Sequence, residues 1–169
     1  MRYFCFYFLQ VFSLFVLTGC GSLHKDFNQQ LTEKKPLVLT TFTVLADMAR
    51  NVSGDLLEVK SITKYGAEIH GYKPTPSDLV EASRADLIIE NGLGLELWAK
   101  KFISSAGDVP TVVLSEEMEP LMIEGDVYNG KPNPHAWMSP KRAMQYVDRL
   151  VEAFSRLDPL GKDVFKENG

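Results

Sequence analysis

The chain has 169 residues, 45% of them hydrophobic and 24% charged, with a formal net charge of −4. That composition suits one globular domain, or one and a fraction. The acidic balance and the lack of a basic stripe exclude nucleic acid as the expected partner, and leave the fold open.

The N-terminus reads as a processing segment. Arg2 supplies a positive residue, and the apolar run from Phe4 to Leu17 is broken only by Gln10 and Ser13. It falls short of the ~20 residues of a comfortable transmembrane span and fits the apolar region of a signal peptide. It ends in Leu17-Thr18-Gly19-Cys20, which resembles a bacterial lipobox. The resemblance implies cleavage before Cys20 and lipidation of its thiol, so residues 1–19 are the expected signal peptide. Residues 20–36, polar through Asn28, Gln29, Gln30 and Glu33, are the expected lipidated tether, on which His24 is a solvated side chain. Cys5 would leave with the signal, and no thiol would remain for a disulfide.

From Pro36 onward, β-rich and helical patterns alternate. Leu37–Phe42 is a strand candidate, and Thr43–Val52 has helical spacing with Val44, Leu45, Met48 and Val52 on one face, closed by Gly54. Leu56–Ile62 reads as a second strand, Lys64–Pro76 as a loop, and Ser77–Ser83 as a short helix entered through Pro76. Asp86–Glu90 is a third strand ended by Asn91-Gly92. A helix is predicted over Leu93–Ser105, with Leu97, Trp98 and Phe102 as its buried stripe. Thr111–Leu114 is a fourth strand, and Glu116–Asn133 is irregular and acidic. Ser139–Leu157 is an amphipathic helix capped by Ser139, with Pro140 at its first position and Ala143, Met144, Val147, Leu150, Val151 and Phe154 as its apolar stripe. Asp158-Pro159 breaks it and starts another helix.

This alternation predicts an α/β fold: a four-stranded, mainly parallel sheet flanked by helices on both faces. In such sheets ligands bind beyond the carboxyl ends of the strands. Two histidines belong on that rim. His70 lies in the Gly66–Pro76 loop after the second strand, and His135 lies in Lys131-Pro132-Asn133-Pro134-His135-Ala136-Trp137-Met138-Ser139-Pro140, after the fourth. Proline stiffens both loops. Neutral imidazole is the commonest metal-binding side chain, so the pair is a candidate metal site. A bound imidazole needs its other ring nitrogen oriented by a hydrogen-bond partner. Glu68 and Asp78 are nearby, although solvated loop charge or helix N-terminal charge is the simpler role for each.

These segments, together with Thr41–Met48 and Ala85–Glu96, resemble the metal-specific solute-binding lipoproteins of bacterial ABC importers, over nearly all of Pro36–Gly169. The resemblance implies a divalent metal as transported ligand, manganese or iron(II) ahead of zinc, held by His70 and His135. It also implies a location on the extracytoplasmic side of the cell envelope, a lipid anchor in the membrane, and a membrane permease as partner. Tyr72 and Trp137 are expected to pack the loops. Members of the family have two lobes joined by a long helix, with two further ligands from the second lobe. The chain is therefore expected to be a truncated or half form: an N-terminal metal-binding lobe over 37–138 and, over 139–169, a helix leading to a second lobe that a separate chain could supply. Such a half site should bind metal weakly and with little preference for manganese, because two imidazoles suit zinc, copper or nickel as well. A surface adhesion or interaction lipoprotein, or a non-functional remnant, is the alternative. An enzyme is not expected, since neither a His-Glu-x-x-His helix nor a Gly-x-Ser-x-Gly motif occurs.

Overall fold

The computed structural model of the protein describes residues 34–125 and 127–169. The expected signal peptide, the greater part of the tether, Cys20 and His24 lie outside the described residues. The elements run β1 (Leu37–Thr40), α1 (Thr43–Ser53), β2 (Glu58–Ser61), α2 (Pro76–Ala82), β3 (Leu87–Glu90), α3 (Leu97–Ala106), β4 (Thr111–Val113), a 3-10 turn (Ala136–Met138), α4 (Pro140–Leu157), a second 3-10 turn (Pro159–Gly161) and α5 (Lys162–Asn168).

The strands form one sheet in the order β2-β1-β3-β4. Every pairing is parallel, with Val38 opposite both Val59 and Leu87, and Ile89 opposite Val112. All-parallel sheets are covered on both faces, and their strands are apolar throughout rather than alternating. β1 is accordingly buried along its whole length. One face packs Val38, Leu87 and Ile89 with Phe42, Leu45, Val52, Tyr146, Leu150, Phe154 and Phe165, which is the layer of α1, α4 and α5. The other packs Leu37, Leu39 and Ile88 with Ala82, Phe102 and Ala106, which is the layer of α2 and α3. Among the described residues no helix is long and apolar enough to cross a membrane.

Local chemistry explains where elements begin and end. α2 opens on a capping box: Thr75 Oγ1 accepts from Asp78 N–H while the Asp78 carboxylate accepts from Thr75 N–H at 2.8 Å, and Pro76 occupies the first turn. α4 starts at Pro140 as expected, but the Ser139 hydroxyl makes no capping bond. Asp158 Oδ1 accepts from the amides of Leu160 and Gly161, at 3.1 and 3.3 Å, and turns the chain back into α5. α5 is tied to the end of α1 by Asn168 Nδ2 donating to Val52 O, 3.2 Å away.

Some expectations are corrected. The helix predicted from Leu93 starts at Leu97, because Gly92, Leu93 and Gly94 have φ of 85°, 54° and 76° and cannot join a right-handed helix. That shift turns Leu97 outward, 80% exposed, and leaves Ala99, Phe102 and Ala106 buried. Met144 and Val44 are likewise exposed, and the small residues Ala46, Ala49 and Ala153 take buried positions against neighbouring elements. In the acidic segment, Arg149 pairs with both Glu116 and Glu117, at 3.3 and 3.2 Å.

Candidate metal centre

The two histidine loops meet beyond the carboxyl ends of the strands. The rings of His70 and His135 lie 5.4 Å apart between centroids, with planes inclined by 65°. That spacing suits a shared ion. A zinc–imidazole bond of ~2.1 Å puts the metal roughly 3.2 Å from each ring centre, and a tetrahedral angle then separates the centres by about 5 Å. The pair lines a cavity of about 610 Å³ together with Leu93, Leu97, Tyr128 and Pro134. Among the described residues no group of three or more His, Cys, Asp or Glu side chains is placed to hold a metal. The described residues bring two imidazoles together at this point, His70 exposed and His135 part-exposed.

Each loop has its own fastening. The His70 loop is held by Trp98, whose indole N–H donates to Ile69 O at 2.8 Å. Trp98 also packs on Tyr72, 5.2 Å between centroids. Tyr72 donates its hydroxyl to Asp78 at 3.0 Å, and burial, followed by that hydrogen bond and the Asp78 charge, raises its pKa. Glu68 folds back onto its own loop and accepts from the backbone N–H of Gly71 and His70, which lowers its pKa. Burial alone would raise the Asp78 pKa; the bonds from Thr75 and Tyr72 and the Lys64 charge outweigh it and lower the value. Both carboxylates serve loop and helix structure and make no hydrogen bond to the imidazoles.

The partner that sequence reading missed is Asn133. Its Oδ1 lies 3.0 Å from His135 Nδ1 and accepts the His135 backbone N–H, also at 3.0 Å. If Nδ1 carries the proton, it donates to that oxygen, which leaves Nε2 as the lone-pair nitrogen available to an ion. The His135 pKa is lowered, first by desolvation and then by His70, which favours the neutral ligand form. Trp137 packs edge-on against His135 at 5.4 Å and against Phe42 at 5.0 Å, so Trp137 and Tyr72 do pack the loops. Asn133 stands two residues before His135 in the sequence; that spacing was its one available signal.

Beneath the rim lies a buried polar cluster. Glu96 Oε1 accepts from Thr41 Oγ1 at 2.9 Å and from Asn91 N at 2.6 Å, bridging the ends of β1 and β3. Ser115 Oγ donates to Asn91 O at 2.6 Å. Burial raises the Glu96 pKa despite these bonds. Half-buried Glu90, pressed by desolvation and then by the Glu96 charge, is pushed up to about 7.

A folded pKa above the unfolded value means that the folded state holds the extra proton. Stability linked to Glu90 is therefore present at pH below about 4.5 and is lost as pH rises through about 7. Solvent reaching the carboxyl screens the effect, leaving a penalty of about 1 kcal/mol at pH 8. Glu90→Gln is expected to raise the melting temperature by ~4 °C at pH 8 and hardly at all at pH 4. Equal shifts at the two pH values in thermal melts would show that ionisation of Glu90 is not the cause.

Residues 38–169 match the family described as zinc-uptake complex component A, periplasmic (ZnuA). The chain is 43% identical over 166 residues to the iron-binding protein YfeA of Yersinia pestis, covering 95% of this chain and 53% of that one. It is 33% identical over 167 residues to the manganese ABC transporter substrate-binding lipoprotein PsaA of Streptococcus pneumoniae, covering 94% and 54%. Among solved structures, the Mn-bound periplasmic metal binding protein from Candidatus Liberibacter asiaticus superposes with a TM-score of 0.73 at 31% identity, over 79% of this chain and 50% of that one. The chain spans about half the length of the curated relatives it matches.

Proposed function

The chain belongs to the ZnuA family of periplasmic metal-uptake components, and from that membership we propose that it captures a divalent metal ion outside the cytoplasm through His70 and His135. Members of this family are solute-binding components of importers rather than enzymes. One observation carries the proposal: loops far apart in the sequence present two imidazole rings 5.4 Å apart. The Nδ1–Asn133 contact and the edge of Trp137 support it, since an oriented ring is what a ligand requires.

The cargo is Mn2+ or Fe2+ ahead of Zn2+, in keeping with the iron- and manganese-named relatives. The pair alone does not enforce that choice, because imidazole suits zinc and copper at least as well. Donors from outside the described residues complete the coordination, supplied by the part of the relatives' length that this chain does not span, in the same polypeptide or a separate one. Release is to an ABC permease, with a lipid on Cys20 keeping the protein at the membrane; palmitate labelling lost in Cys20→Ser checks the anchor.

Titration calorimetry tests the site. This chain is expected to bind Zn2+ and Mn2+ weakly and with little preference. His70→Ala and His135→Ala are each expected to weaken Zn2+ binding tenfold or more, about 1.4 kcal/mol. Zn2+ affinity left intact by both substitutions would refute the ligand assignment. Tight, Mn2+-selective binding would refute the half-site reading.

A further inference from the structure

We infer that Tyr146 and Asn91 are positioning residues for His135, forming a hydrogen-bonded relay that runs from the Tyr146 hydroxyl through the Asn91 amide to the peptide carbonyl before the imidazole. The relay touches no metal position, and its consequence for metal affinity rests on the proposed ligand role of His135.

Asn91 is fully buried at the carboxyl end of β3, and it bonds to five residues. Its Nδ2 donates to Gly92 O at 2.8 Å and to Pro134 O at 3.0 Å. Its Oδ1 accepts from Tyr146 Oη at 2.7 Å. Its backbone N–H and C=O are taken by Glu96 and Ser115. The amide has only one sensible orientation, because two carbonyl oxygens can be met only by N–H groups and not by Oδ1. Tyr146 is 0% exposed on the middle of α4, so its hydroxyl has no water to turn to.

The bond to Pro134 joins positions 43 residues apart in the chain and grips the peptide carbonyl directly before His135. Proline has no N–H of its own to anchor that stretch. On the far side, His135 enters a 3-10 turn with Met138 N donating to His135 O at 3.2 Å. Asn133 holds the ring and Asn91 holds the backbone behind it. Without the Tyr146 hydroxyl, Asn91 Oδ1 loses its donor, while Ser115 Oγ, which also lies beside that hydroxyl, already donates to Asn91 O. The amide is then free to tilt away from Pro134. A buried hydrogen-bonded chain of this kind fixes orientation more firmly than its bonds would one by one.

The test uses the protein with Zn2+ as probe, together with proton–carbon NMR of the His135 ring without metal. Tyr146→Phe is expected to weaken Zn2+ binding ~5-fold and Asn91→Ala ~10-fold, in the range of lost outer partners. The double variant should be no weaker than Asn91→Ala alone, because both act through one relay. The His135 ring resonances should shift in both single variants before any metal is added. Leu150→Ala, which hollows the packing of α4 without touching the relay, should lower the melting temperature while leaving Zn2+ affinity and those resonances unchanged. Loss of thermal stability alone in Tyr146→Phe, or additive effects in the double variant, would overturn the relay. If Tyr146→Phe does not fold, Asn91→Ala against Leu150→Ala carries the same comparison. The failures are distinguishable: shifted His135 resonances, with Zn2+ affinity indifferent to His135→Ala, would uphold the relay and defeat the ligand reading.

Discussion

Phe154→Ala is expected to destabilise the protein by about 4 kcal/mol, read as a lower denaturant midpoint at unchanged slope. Phe154 is 0% exposed on α4, and its ring meets that of Phe165 on α5 edge-on at 5.8 Å. Removing it subtracts the transfer free energy of a benzyl group and leaves a cavity between two helices and the sheet, which rigid strands beneath cannot close. The loss should spread unevenly. α5 is a helix of seven residues and would not be stable alone. Phe165 and the Asn168–Val52 bond fasten it to the body. In Phe154→Ala, α5 amides should therefore exchange with solvent well before those of β1 and β3. A stability loss below about 1.5 kcal/mol would mean that α4 and α5 close the gap, and that the helical layer is less rigid than its packing implies.

The sequence revealed most of the scaffold because parallel α/β folding is written in local patterns. Leu37–Thr40 and Leu87–Glu90 are short apolar runs bounded by turn signals, and α4 shows its period over eighteen residues. The start of α3 is not visible, because nothing local to Leu93 announces a positive φ; Asn91-Gly92 reads simply as a strand stop, and Gly94 falls inside the predicted helix. The α1 stripe departs from its expected form at Val44, which is exposed, while Ala46 and Ala49 take buried positions at close helix contacts, since hydrophobicity ranks Val44 above them. The histidines were legible from their loops, whereas their supports were not. Asn91, Glu96 and Tyr146 are polar residues drawn from a strand end, a turn and a long helix, and only tertiary structure brings them together. A tyrosine on an amphipathic helix reads as ordinary packing until its hydroxyl is found to have a partner 55 residues away.

Gly92→Ala joins the scaffold to the site, and it is expected to cost about 3 kcal/mol of stability. Two penalties combine. The residue has φ +85°, where an L side chain costs ~1–2 kcal/mol. An added Cβ would also lie 2.5 Å from both Ser115 Oγ and Val113 Cγ1, and overpacking of that kind costs ~1–3 kcal/mol. Gly107→Ala separates the terms. It too has positive φ, +104°, but nothing lies within 4 Å of its Cβ position, so it should lose only the backbone share. The functional consequence should separate them as well. Ser115 Oγ is the donor to Asn91 O, and Gly92 O is one of the two acceptors of the Asn91 amide. Pushing Ser115 aside disturbs the residue that grips Pro134, so Gly92→Ala should weaken Zn2+ binding while Gly107→Ala leaves it unchanged. Denaturant melts and Zn2+ titrations on the two variants decide the matter. Equal stability losses would show that β4 yields to the methyl group, and undiminished Zn2+ affinity in Gly92→Ala would show that the floor of the rim moves without carrying His135 along.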